Sequence, residues 1–506
     1  MILSFSFLQY LVLALPPLLL FFIILLKKNK SNNKKLPLPP GPRGLPIIGN
    51  LHQLDSLNFH FQLWNLSKIY GPIFSLRFGI KKAIIISTPK MAQKILNDHD
   101  LAVCTRAPTL SQKRISYNAM DMNFSPYNDY WREIRKIAAI HFFSAKKVSS
   151  FSHVRKSEVK QMIQKISSHI SSSKVTNLSE IIMSVASCTI SRIAFGRIYD
   201  EDGAENSIFH NLLVQGQAMF LTFFFSDYIP FMGWIDKLTG PLARLDKTIN
   251  SFDAFFQQVL DEHLDPNRIK DQTQQDDIVD TLLQLRDQGS LSIDLTDEHI
   301  KASMMDLLIG STDTSVAASV WLMTGLMKNP TAMKKVQDEI RNLCGNKDFI
   351  DEVDIQKLEY LKAVIKETLR FYPPAPLIPR ETMKSIIIDG YEIPAKTIVY
   401  VNVWAIHRDP EAWKDPHEFN PDRFLNKDIE FKGRDFELIP FGAGRRVCPG
   451  MPQGIATLEL ITANLLNSFD WEAPLGMTRE DIDEEGLQGL ARHKKNHLCL
   501  VAKNRT

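Results

Sequence analysis

The sequence predicts a mainly α fold with a small β-rich region, preceded by one N-terminal transmembrane helix. Three observations predict it. Residues 295–330 and 354–374 read as long helices bounded by capping residues and prolines. Residues 72–89 and 385–394 read as short hairpins. Residues 1–26 carry no charge at all.

Within that first stretch, LVLALPPLLLFFIILL is apolar apart from Pro16 and Pro17. A helix of that length could cross a hydrocarbon core of about 30 Å. A cleaved secretory signal would have a shorter apolar run, a basic start and a small-residue cleavage site, so a retained anchor is the expectation. Lys27, Lys28, Lys30, Lys34 and Lys35 follow directly and should hold that side in the cytosol. Next comes LPLPPGPRGLP, residues 36–46, whose prolines favour extended backbone. Residues 27–46 therefore form a basic and proline-rich linker.

Residues 47–506 are expected to form one domain, although length alone suggests about three. Beyond the proline-rich stretch there is no second linker, internal repeat or long low-complexity tract, and DQTQQDD (271–277) reads as a surface loop. A formal charge of +3 is too small to argue for nucleic-acid binding. Cysteines 104, 188, 344, 448 and 499 are scattered, without CxxC or zinc spacing. That pattern argues against a disulfide framework or structural zinc and suits a reducing compartment.

The helix at 297–328 begins after the cap-competent Thr296 with two acids and stops at Asn329-Pro330. The helix in 354–374 is halted by Pro373 and Pro374. In the second hairpin Asp389-Gly390 supplies the turn.

The chemistry concentrates in PFGAGRRVCPG, residues 440–450. A cysteine alone is most often a small buried hydrophobe. Here, however, Cys448 precedes an apolar helix, GIATLELITANLLNSF, and a helix N-terminus stabilises a thiolate. Gly442, Gly444 and Gly450 permit close backbone approach to something flat, and Arg446 can meet a carboxylate. A single thiolate without companion ligands suits a metal already held by a macrocycle.

Phe441, Gly444, Arg446, Cys448 and Gly450 fit F-x-x-G-x-R-x-C-x-G, and on these residues the chain resembles the cytochrome P450 haem-thiolate enzymes. KETLR supplies Glu367 and Arg370, and FNPDRF supplies Arg423, at the places of that family's structural charge cluster. The resemblance covers essentially the whole chain, and details such as FGAGRRVCPG point to plant microsomal A-type members. It implies haem b with Cys448 as axial ligand to iron. It further implies that Trp131 and Arg135 (in WREIRK), Arg380 (in LIPRET) and Arg446 meet the haem propionates. His407 is assigned no chemical role.

GSTDTS, residues 310–315, is weakly helix-forming and invites a local bulge. By the resemblance, Asp313 and Thr314 match an acid–threonine pair that delivers protons over the distal haem face. Many plant relatives read A-G-T-D-T, whereas this chain has Ser311 where the glycine is expected.

The expected function is that of a haem-thiolate monooxygenase on the cytosolic face of the endoplasmic reticulum. As the resemblance implies, NADPH electrons would come through a separate reductase, since the chain has no convincing flavin or dinucleotide fingerprint. Arg132, Lys136, Lys146 and Lys147 are candidate docking cations; a plain solvated charge face is the competing reading. A hydroperoxide-rearranging enzyme and a non-catalytic haem carrier or sensor stand as alternatives, the retained Asp313-Thr314 speaking against the first. AMFLTFFFSDYIPFMGW (218–234) falls where the family places a pocket lid, suggesting a small apolar substrate arriving through lipid. Nothing in the sequence selects among aldoximes, phenolics and terpenoids.

Overall fold

The computed structural model describes residues 36–55, 58–199, 208–268, 276–345, 347–487 and 489–505. The expected anchor and its lysine flank lie outside the described residues. Helices of the described part include α1 (Asp129–Ile137), α2 (Ser152–Ser171), α3 (Leu178–Phe195), α4 (Ile208–Leu221), α5 (Pro241–Leu264), α6 (Asp297–Lys328), α7 (Pro330–Cys344), α8 (Glu359–Phe371) and α9 (Met451–Ser468). The β region is built on β1 (Ile73–Phe78), β2 (Lys81–Ile86), β3 (Leu377–Glu381), β4 (Ile386–Ile388), β5 (Tyr391–Ile393) and β6 (Ile398–Asn402).

The central helix α6 has the bounds its sequence predicts. Thr296 and His299 close a reciprocal capping box, Asp297 and Glu298 sit in the first turn, and Pro330 blocks continuation. It is buried almost all round and packs along α3, α8 and α9. The bulge expected at 310–315 is absent, because the helix runs on as regular α. Its hydroxyls fit the helix instead: Thr314 Oγ1 donates to the Gly310 carbonyl at 2.7 Å, and Ser319 Oγ to Ser315 at 2.8 Å. Helix α3 is long and apolar enough to cross a membrane, yet 67% of it is buried inside the fold. Its side chains pack against α6 and α2, which makes it a core helix.

The helix expected across 354–374 forms in two pieces, Glu352–Ile355 and α8. The break has a long-range cause. The Glu339 carboxylate of α7 accepts the N–H groups of Tyr360 and Leu361 at 2.7 and 2.9 Å, so α8 is capped from another helix.

Both hairpins form. Strands β1 and β2 pair antiparallel from Ile73↔Ile86 to Phe78↔Lys81, and β4 pairs β5 across Asp389-Gly390. Both turn residues have positive φ, as a two-residue hairpin turn of this kind requires. The main sheet runs β1-β2-β6-β3, with β2 and β6 parallel. The exposed edge of β1 is covered by the proline-rich segment. Ser75 N–H donates to the Pro40 carbonyl at 2.7 Å, Ser75 Oγ to Pro39 at 2.8 Å, and Gly79 N–H to Ile48 at 3.1 Å.

Candidate active site

Between α6, α9 and the sheet lies a cavity of about 370 Å³ whose floor is the loop 440–450. The loop is closed by Cys448 N–H donating to the Phe441 carbonyl at 2.9 Å and Val447 N–H to Gly444 at 3.0 Å. Gly442 and Gly444 are left-handed, at φ 75° and 69°. A Cβ on Gly444 would lie 2.4 Å from the Leu96 carbonyl oxygen, so only glycine fits there. Cys448, Phe441 and Gly450 line the cavity, and Gly450 is the N-cap of α9. Burial pushes the Cys448 thiol up, while the Gly450 N–H, the Arg135 guanidinium and the Met451 N–H pull it down. A bound metal would complete what those donors begin.

Beside the thiol is a group of buried cations. Arg135, Arg380 and Arg446 line the cavity, as the sequence suggests, and so does Arg106, which it did not reveal. Arg106 lies in CTRAPT, a stretch with no periodicity or spacing to mark it; only the fold brings it to Arg380. Burial first, and then the mutual repulsion of these groups, lowers Arg446 to about 9 and Arg380 well below the usual range; burial holds Arg106 near 10. Their bonds go to backbone carbonyls: Arg446 Nε to Cys104 at 2.8 Å, Arg380 Nη1 to Pro379 at 2.9 Å, and Arg135 to Val447. Arg106 Nε has no partner although it is buried. Such a concentration of under-compensated cations fits a ligand carrying two carboxylates. Trp131 lies behind this row: its Nε1 donates to the Met122 carbonyl at 2.9 Å, and Arg446 stacks 4.1 Å from its ring centre.

The charge cluster sits at 0% exposure for both Glu367 and Arg370. Arg370 grips Glu367 through two parallel bonds of 2.7 Å and sends its remaining donors to the carbonyls of His407, Pro416 and Glu418. Arg423 Nε joins Glu367 at 3.2 Å, and the Asn420 N–H at 2.7 Å.

On the distal wall, the acid–threonine pair divides. Gly310, Ser311 and Thr314 line the cavity. Asp313 is 1% exposed and turned away from it, accepting bonds from Ala491 N–H at 3.1 Å, from His493 Nε2 and from Gln217 of α4. One residue is about 100° of helix rotation, which is enough to move Asp313 behind the wall that Thr314 occupies. Ser311 makes no hydrogen bond to Leu307, while Gly310 presents open space to the cavity. Segment 218–234 reaches the cavity at Phe220, whereas Phe223, Phe231 and Trp234 face solvent.

A lone thiol on a helix N-terminus, beneath an apolar chamber and beside guanidinium groups that bond backbone carbonyls, describes a haem-thiolate protein. The comparisons agree: a sequence model described as Cytochrome P450 matches residues 39–501, and the chain belongs to that family. It is 46% identical over 477 residues to a 6,7,8-trihydroxycoumarin synthase of Pastinaca sativa, covering 92% of this chain and 93% of the relative. It is 43% identical over 468 residues to a strychnine-11-hydroxylase of Strychnos nux-vomica, covering 92% and 91%. The solved structure of a zebrafish cytochrome P450 with abiraterone superposes with a TM-score of 0.72 at 22% identity, over 88% of this chain and all of that one. The protein is thus a plant-type cytochrome P450 monooxygenase, an oxidoreductase whose cofactor is haem with a cysteine thiolate axial ligand.

Proposed function

We propose that the protein inserts one oxygen atom from O2 into a small, apolar, planar plant metabolite of secondary metabolism, using NADPH electrons delivered by a separate reductase. The observation that carries this reading is Cys448 on the floor of a cavity that also holds Arg106, Arg135, Arg380 and Arg446. Cys448 would supply the thiolate ligand to haem iron and the arginines would hold its propionates, with Trp131 propping Arg446 from behind. Haem, when bound through a thiolate, supplies oxygen activation, the cysteine pushing electron density that favours O–O cleavage.

The chain's own residues do the rest. Phe124, Phe220, Leu307, Ile309 and Leu490 exclude water and orient an apolar substrate over the floor. Thr314 holds a proton donor on the distal wall, and Asp313 supports the helix from behind it. Relatives whose names concern coumarins and strychnine support a ring-shaped substrate. Residues 1–26 form a single-pass anchor in the endoplasmic reticulum, 27–46 the join, and 47–506 the cytosolic haem-thiolate domain. Exposed Phe223, Phe231 and Trp234 support a lipid-facing mouth. For the reductase, Lys146 offers an exposed cation, whereas Arg132 and Lys136 are paired locally with Asp129 and Glu133, and Lys147 donates to the Asp276 carbonyl.

The test is spectral. The wild type, reduced under carbon monoxide, should show the red-shifted thiolate band, and Cys448→Ser should lose it while the fold persists. A serine variant that keeps the band removes Cys448 as the ligand. Titration with a panel of coumarins, phenolics, terpenoids and aldoximes, followed at the Soret band, then identifies the substrate class.

A further inference from the structure

The loop 116–124 forms the cavity wall beside the arginines, through Met122, Asn123 and Phe124, and Arg446 donates to the Met122 carbonyl at 3.4 Å. It is an awkward piece of backbone. Tyr117, Asn118 and Ala119 all have positive φ, from 51° to 61°, a conformation each non-glycine residue adopts only under constraint. What constrains it comes from two acids. Asp306 of α6, itself on the cavity wall, accepts the Met122 N–H at 2.6 Å. Asp121 accepts the Phe124 N–H at 2.9 Å and the Asn123 N–H at 3.2 Å, all through Oδ2. Its other oxygen, Oδ1, is buried in a side chain of 0% exposure and meets no N–H or hydroxyl donor. The side chains of Asp121 and Asp306 interact with each other.

Two carboxylates held against each other resist both being charged, and one proton shared between them would bind the pair. We propose that Asp121 and Asp306 share a proton and so clasp the loop 116–124 onto α6, fixing the wall that determines which ligands the cavity accepts. Arg106 and Arg446 face Asp121, and Arg135 and the partly buried Tyr130 face Asp306. Tyr130 also ties the loop by donating to the Met120 carbonyl, and Tyr117 donates to Asp253 of α5 at 2.9 Å. The clasp extends to the lid, since Phe124 packs against Phe220 of α4 with ring centres 5.6 Å apart.

Burial, and then the charge of Asp121, raises Asp306 well above the ordinary carboxylate range, and burial lifts Asp121 to about 6. Carboxyls raised by folding stabilise below their unfolded pKa, and the benefit is lost as pH rises through the folded value. The clasp therefore opens on the alkaline side.

Hydrogen exchange of haem-loaded wild type, corrected for intrinsic rates, tests this between about pH 6 and about pH 9. Segment 116–124 should exchange roughly tenfold faster at the upper pH, the equivalent of one pKa unit, while α6 stays protected. A buried protonated-carboxyl infrared band should vanish over the same range. In Asp121→Asn the amide replaces the shared proton, so the step should disappear and the loop stay protected throughout; Asp306→Asn is the mirror variant. A wild type without the step, a step without the infrared change, or an identical step in a folded asparagine variant overturns the proposal. None of these readouts depends on turnover, so they stand apart from the substrate reading.

Discussion

His407 Nε2 accepts the Ile439 N–H at 3.1 Å, joining the helix-borne charge cluster to the segment that leads into the thiol loop. Its Nδ1 consequently carries the hydrogen and donates to the Arg370 carbonyl at 3.1 Å. Burial first, then the Arg370 charge, pushes its pKa down to about 3, so the ring is neutral at physiological pH. A lowered histidine pKa gives stability that is present above the unfolded value near 6.5 and lost as pH falls toward the folded one. His407→Ala should leave two buried groups unpaired, a loss of roughly 2–5 kcal/mol. It should also flatten the acid limb of thermal stability between about pH 6.5 and pH 3, measured as loss of Soret absorbance on heating.

Arg370 uses its planar fork completely, on one carboxylate and three carbonyls. A lysine reproduces the charge but not the fork. Arg370→Lys should therefore behave like Arg370→Ala, each costing about 3–5 kcal/mol by leaving Glu367 buried without its partner. Haem content after purification reads the result, and a lysine variant with full haem would show that charge alone suffices.

Thr314 and Ser311 share the distal wall but should respond differently to substitution. Thr314→Ala should still bind haem and substrate yet divert NADPH into peroxide. Ser311→Gly should keep coupling near wild type, since the hydroxyl bonds nothing that must be replaced. Ser311→Val adds a stiff branch and should crowd the cavity. Asp313→Asn should keep its Gln217 and Ala491 neighbours and change stability more than coupling. Product formed per NADPH consumed separates these outcomes; full coupling in Thr314→Ala with uncoupling in Ser311→Gly would transfer the role to Ser311.

Deleting residues 1–30 should release the protein from membranes in high salt while haem still binds. Sedimentation with microsomes measures it. Full pelleting of the shortened chain would point to the exposed Phe223, Phe231 and Trp234 as a second lipid contact.

Local signals made much of the fold legible. Thr296 and Pro330 marked both ends of α6, and Asp389-Gly390 marked a hairpin, because caps and turns act over a few residues. The thiol loop was legible because its glycines and cysteine are adjacent in sequence. The start of α8 was not, since Glu339 caps it from twenty-one residues away. Nor was Arg106, nor the contact of Asp121 with Asp306, which only chain topology creates. The resemblance paired Asp313 with Thr314, and only the helical twist shows that the Asp313 carboxylate turns from the cavity toward Ala491, His493 and Gln217.

The covering of β1 by Pro39, Pro40 and Ile48 means the chain arrives at the catalytic body already moored. The start of the described chain is itself tied down, the Glu392 N–H of β5 donating to the Pro37 carbonyl at 3.1 Å. Anyone trimming the protein for crystallisation should cut before residue 36. A cut at residue 47 would strip the partners of Ser75 and bare a sheet edge to neighbouring molecules, trading solubility for brevity.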